Sequence, residues 1–143
     1  MNDWKETLES LRNESDSSKK IGILDRLKAY VAEDEVRKEV IKLLLNSDDR
    51  LVRIKATEVL EELNPAKEDA VEALMKSLLE DEDGFVRGFS AKALGKLGDV
   101  RAIDALKRAL EDPDGFVKHY ASEALKVLEM RARFLALIQK AKG

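Results

Sequence analysis

Asp83-Gly84-Phe85-Val86-Arg87 returns almost letter for letter as Asp114-Gly115-Phe116-Val117-Lys118, 31 residues further on. The match continues past the motif: Ala93-Leu94 and Leu97 reappear at the same offset as Ala124-Leu125 and Leu128. An earlier copy, Leu51-Val52-Arg53 with Val59-Leu60 and Leu63, aligns at an offset of 34. Each copy is preceded by a second apolar stretch: Val36, Val40, Leu43 and Leu44, then Ala70-Val71, Leu74 and Leu78, then Ala102-Ile103, Leu106 and Leu110. These positions recur at the spacing of one face of an amphipathic helix. The unit is therefore a pair of helices. A pair this short cannot bury its own apolar face and must stack on its neighbours, which is the signature of a helical solenoid.

Turn chemistry marks the elements. Asp3 with Glu6 fits a reciprocal cap, so a first helix is expected from Trp4 to Asn13, with Trp4, Leu8 and Leu11 on one face. Asp16 or Ser17 is expected to cap a second helix through Ile21, Leu24, Leu27 and Val31. Helices from Asp34 to Asn46 and from Arg50 to Leu63 follow. Asn64-Pro65 then opens one from Ala66 to Glu80, with proline in its first turn. Phe85 to Leu97 ends at Gly98, the usual residue past a helix C-terminus. Arg101 to Leu110 and Phe116 to Leu128 make the fourth pair, and no Gly, Pro or Asn separates Leu128 from Phe134, so the last helix is expected to run on. Phe134, Leu135, Leu137 and Ile138 are expected to cover the open end of the stack. Arg131, Arg133, Lys140 and Lys142 suit a helix C-terminus through the macrodipole or a solvated face.

Composition narrows the function classes. The chain has 143 residues, 44% of them hydrophobic, enough for one elongated core. With no cysteine there is no disulfide framework and no thiol nucleophile, and the first five residues lack the pattern of a secretory leader. No apolar run approaches the roughly 18 residues of a membrane span, so a soluble, cytoplasmic protein is expected. Charged residues make up 38% of the chain and Gln139 is the only glutamine, a balance that leans towards a thermophilic source. Net charge is -3, with 7 basic against 11 acidic residues over 51–100 and 9 against 6 over 101–143. A broad nucleic-acid footprint is not expected on those counts.

Val86-Arg87 opening a helix, then Ala91, Ala93-Leu94-Gly95 and Leu97-Gly98-Asp99, then an apolar helix ending in Leu110-Glu111-Asp112, resembles the HEAT-repeat proteins. The resemblance is to the short HEAT-like repeats of the phycobilisome-lyase type. It implies that the Val-Arg helices form the inner, concave layer and the preceding helices the outer one. It also implies a ladder of hydrogen bonds between repeats, built from a turn Asp and an Arg six residues later. Asp81 with Arg87 and Asp112 with Lys118 keep that spacing, whereas Ser47 replaces the Asp before Arg53. Members include scaffolds, bilin lyase subunits, DNA-binding glycosylases and metal-dependent hydroxylases. The hydroxylases need His-Glu pairs as iron ligands. The single histidine here, His119, is followed by Tyr120, so that chemistry is expected to be absent.

Positions at i, i+4, i+7 and i+11 share one stripe of an inner helix. The second repeat offers Leu51, Lys55, Glu58 and Glu62, the third Phe85, Phe89, Lys92 and Lys96, and the fourth Phe116, Tyr120, Glu123 and Val127. The aromatics of the last two would adjoin on the concave surface. Phe85 and Phe116 read either as anchors of that patch or as helix-start staples buried against the next repeat. Phe89 and Tyr120 are expected to stay at least partly exposed, because Val86, Ala93, Leu94 and Leu97 already supply the core. Glu80-Asp81-Glu82-Asp83 lacks the alternating ligands of a calcium loop, so no metal site is expected.

The expectation is thus an all-α, right-handed solenoid of about four helix pairs (residues 3–32, 34–64, 66–98 and 100–129) with an extension over 130–143, forming a single domain over 1–143. Its expected function is non-enzymatic: a scaffold or adaptor that holds a protein or peptide on Phe85, Phe89, Phe116 and Tyr120, with Lys55, Lys92 and Lys96 as charged rim. No cofactor and no membrane contact are expected, and self-association, if any, through the end repeats. Two other readings stay open: a nucleic-acid module using Lys92, Lys96, Lys118 and the basic tail, or an auxiliary subunit of a modifying enzyme of the bilin-lyase type.

Overall fold

Asp16, Asp49, Asp83 and Asp114 each open a helix by accepting a hydrogen bond from a backbone N–H of its first turn, which satisfies donors that the helix itself leaves free. The computed structural model describes residues 3–143, the side chain of Asp3 excepted, so the cap between Asp3 and Glu6 lies outside the described residues. The capped helices are α2 (Ser17–Leu27), α4 (Arg50–Leu60), α6 (Gly84–Leu97) and α8 (Gly115–Lys142). Between them run α1 (Asp3–Asn13), α3 (Asp34–Asn46), α5 (Glu68–Glu80) and α7 (Ile103–Ala109). The capped helices pack side by side in one layer, α2 on α4, α4 on α6 and α6 on α8, while α3, α5 and α7 stack in the second. The result is an α-solenoid of four helix pairs.

The core is the seam between the layers. Leu60, Leu94 and Leu125, which share one register position, are buried there with Val52, Val86 and Val117, and Leu44, Leu74 and Leu106 meet them from the second layer. Helix ends differ from the sequence expectation where local turns intervene. Pro65 is not in a first helical turn. It follows a cis peptide bond in the loop before α5, which begins at Glu68. α2 stops at Leu27 and tightens into a 3-10 turn over Lys28–Tyr30, and a similar turn over Val100–Ala102 leads into α7. Among the described residues Gly98 is the one with positive φ, at 71°, and it closes α6.

The repeat-to-repeat ladder differs from its sequence pattern: it takes in Arg53, while among the described residues the Lys118 side chain forms no hydrogen bond or ion pair and Asp112 accepts from Arg87 instead. Arg53 donates to the Asp81 carboxylate of the following repeat at 3.0 Å (Nε to Oδ2), and Arg87 does the same to Asp112 at 2.8 Å. Within its own repeat each guanidinium donates to a backbone carbonyl, Ser47 O at 2.8 Å and Asp81 O at 2.9 Å. Ser47 therefore does not break the ladder, because the in-repeat acceptor is main chain and any residue supplies it. Ser47 also keeps the other duty of the turn aspartates: its Oγ accepts from Asp49 N, as Asp81 does from Asp83 N and Asp112 from Asp114 N.

These pairs give the stability an acid limb. Burial works to raise the Asp112 pKa, but Arg87 and the Asp114 N–H outweigh it and hold the carboxyl below its ordinary value of 3.8. Lys55 lowers Glu58 in the same sense. Depressed carboxyls contribute stability that is complete above the ordinary carboxylate range and is lost as pH falls through the folded values. The melting temperature is expected to stay level from neutral pH to about 5 and to fall below about 4. Asp112→Asn should lower the neutral plateau and flatten the acid fall; an unchanged acid limb would remove Asp112 from this account.

α8 is the last element and the longest, 28 residues without a break. Its continuity follows from the uninterrupted sequence after Leu128. Its apolar end does not do what the sequence suggested: Phe134 is 62% exposed and Leu137 65%, so they do not cover the stack. The unbroken helix carries them past the last pair, while Arg131 and Leu135 line a groove of about 600 Å³ with Glu61, Glu62, Gly98 and Asp99. Among the described residues no helix is long and apolar enough to cross a membrane.

Candidate functional site

Two residues after each capping aspartate stand Ser18, Leu51, Phe85 and Phe116, and six after it Gly22, Lys55, Phe89 and Tyr120. The capped layer thus carries two rows of side chains that become aromatic only in the last two repeats. The structure brings those four rings together. Phe116 sits at the centre, its ring centroid 5.0 Å from Phe85, 5.2 Å from Phe89 and 5.0 Å from Tyr120, each edge to face. Phe89 and Tyr120 lie 6.2 Å apart, and the His119 ring packs on Tyr120 at 5.1 Å. Such offset geometry is the favoured one for aromatic pairs.

The cluster owes its closeness to glycine. A Cβ at Gly88 would overlap the Phe116 ring, and one at Gly95 would press on the backbone of Ala124, so α8 lies directly on α6 along this edge. Neither glycine carried a functional reading in the sequence; the available signal was their place inside an otherwise well-formed helix. The rings are only partly covered. Phe85, for which a buried staple was one reading, is instead 50% exposed, while Phe89, Phe116 and Tyr120 are half-buried. Phe116 does act as the joint between two repeats, because it alone touches the other three rings.

The lysines expected at the rim divide into two groups. Lys92 is exposed, with its ammonium 6.0 Å from the centre of the Phe89 ring, within reach of the ring's negative face. Lys55 is tied down, donating to Asp25 and Glu58 at 2.8 Å each. Burial works to lower its pKa, but those two bonds raise it above the ordinary value. Lys96 donates to Glu62 at 2.7 Å and Glu61 at 3.2 Å, which raise its pKa too. The rim is therefore a fixed band of paired charge that ties α2, α4 and α6 together, with Lys92 as its exposed cation. Among the described residues no group of three His, Cys, Asp or Glu side chains is placed to hold a metal ion.

Comparisons with known proteins agree on the architecture. The family model described as HEAT repeats matches residues 6–88 and 37–126. Among solved structures, the chain is similar to human deoxyhypusine hydroxylase in complex with glycerol, with 25% identity and a TM-score of 0.75 over 91% of this chain. The chain spans 44% of that protein's length. No curated protein matches it by sequence. The expectation that the chain is not an enzyme is overturned by this likeness, because a protein with the same arrangement of helix pairs is a hydroxylase. The error came from reading one histidine as decisive for the whole fold.

Proposed function

The chain belongs to the HEAT-repeat family, and from that premise we propose that the capped layer of this helical scaffold docks a protein or peptide, with Phe85, Phe89, Phe116 and Tyr120 as its anchors. One observation carries the reading: four mutually packed rings held at the surface, with Phe85 half open to solvent. Clustered aromatics supply most of the binding energy of an interface at little entropic cost. Here they are also pre-ordered by packing on Gly88, so less freedom is lost on binding. Lys92 adds a cation beside the anchors, and the band of paired charge across α2, α4 and α6 supplies a polar rim.

The experiment is a peptide display library selected on the wild-type chain and on a Phe89→Ala, Tyr120→Ala double variant. Enrichment is expected on the first and should be lost on the second, while both keep their helical signal and melt within a few degrees of each other. Equal enrichment on the two would sink the reading. Salt separates it from the nucleic-acid alternative, since the aromatic anchors should still hold a partner at about 500 mM salt, where phosphate contacts have weakened steeply.

A further inference from the structure

The stripe that carries Phe116 and Tyr120 does not stop at the edge of the repeats. Along α8 it continues through Glu123, Val127, Met130, Phe134, Leu137 and Ala141, each step alternating between four residues and three. That is the 3.5-residue spacing of a coiled-coil seam, about 38 Å long at 1.5 Å per residue. Its members from Val127 onward are bare: Val127 is 52% exposed, Met130 70%, Phe134 62% and Leu137 65%. Glu123 is its one charged member, and Lys126 neutralises it at 3.4 Å. A bare apolar row of this length marks a contact surface.

The residues flanking the seam say what covers it. Immediately before each alternate seam position stand His119, Lys126, Arg133 and Lys140, and Arg131 lies on the opposite flank. Among the described residues Arg133 and Lys140 have no ion-pair partner, unlike Lys126. Flanking positions choose the partner of a coiled coil by charge. Two copies of this helix paired antiparallel would set Lys126, Arg133 and Lys140 against one another, which selects against that pairing with a second copy. An acidic flank satisfies the same row.

We propose that the occupant of this seam is an acidic amphipathic helix from another protein. It lies between the α6 and α8 stripes at Phe85, Phe89, Phe116 and Tyr120, then follows the free part of α8 to Leu137. The proposal rests on the docking reading above for its first half and on the bare extension for its second. The groove beside Arg131 is not part of it, since Leu135 faces away from the seam.

The test uses the whole chain and two labelled helical peptides of identical leucine heptads, one with glutamate and one with lysine at the flanking positions, read by fluorescence anisotropy. The glutamate peptide is expected to bind and the lysine peptide not. Phe134→Ala with Leu137→Ala should weaken binding roughly tenfold or more, as loss of central anchors does, with an unchanged melting temperature because both side chains are exposed. Arg133→Glu with Lys140→Glu should reverse the preference between the peptides, a result that no loss of folding can mimic. Equal binding of both peptides would overturn the proposal. So would a dimer in sedimentation, or a preference for vesicles rich in phosphatidylserine over the glutamate peptide. Binding lost in the Phe89→Ala, Tyr120→Ala variant but kept in the Phe134→Ala, Leu137→Ala variant would overturn the seam and leave the aromatic site standing. The opposite pattern would support the seam while the aromatic reading fails.

Discussion

Arg53→Ala is expected to destabilise the fold by about 3 kcal/mol, the lower end of what breaking a buried ion pair costs. The side chains of Arg53 and Asp81 are 8% and 9% exposed, so neither charge is well served by water. Removing the guanidinium strands the Asp81 carboxylate and also frees Ser47 O, two acceptors in two successive repeats. The lower end applies because Asp81 lies in a turn, where water can reach it once the arginine is gone. Arg53→Met with Asp81→Leu removes both charges together and is expected to recover the part of the loss due to the stranded charge, while Ser47 O and Asp83 N stay without their side-chain partners. Urea denaturation of the two variants checks this. A double variant as weak as the single would mean that the packing of the arginine stem, and not the stranded charge, carries the effect.

Leu94→Ala should cost about 3 to 4 kcal/mol, a large share of the stability of a domain this size. Leu94 is fully buried on α6, which has α4 and α8 beside it in its own layer and α5 across the seam. With neighbours on three sides the cavity cannot close easily, which keeps the cost above the lower end of the range for leucine truncations. Phe89 is the internal comparison, five residues earlier on the same helix but on its outward side. Phe89→Ala is expected to cost clearly less than Leu94→Ala in the same denaturation experiment. A loss near the ~3 to 5 kcal/mol of a buried phenylalanine would make Phe89 core and remove it from the docking site.

Much of the fold was open to reading because its determinants are local. The capping aspartates, the αL glycine at Gly98 and the 3.6-residue spacing of Val86, Leu94 and Leu97 each act within a single helix, and the structure places that helix where the spacing puts it. The ladder was half legible. A rule about side chains at a six-residue spacing misses Arg53, because its in-repeat partner is the carbonyl of Ser47, which carries no signature in residue type. The lysine rim was harder still. Lys55 and Lys96 look free on a helical wheel, but their carboxylate partners Asp25, Glu61 and Glu62 come from neighbouring repeats some 30 to 35 residues away. The absence of enzymatic function was over-read, since a count of histidines says nothing about what a shared scaffold carries elsewhere.

By itself, then, the chain's sequence determined the repeating helix pair, its caps, its apolar seam and the unbroken run of α8, since each depends on residues within a few positions of one another. Tertiary structure alone decided which side chains are spent and which are free. Stacking sets Phe116 on Gly88 and gathers four rings into one surface, ties Lys55 and Lys96 to acids of adjoining repeats, and carries Phe134 and Leu137 beyond the last pair into solvent. Periodicity fixes the face of a helix on which a residue stands; only the position of the next helix determines whether that face is covered.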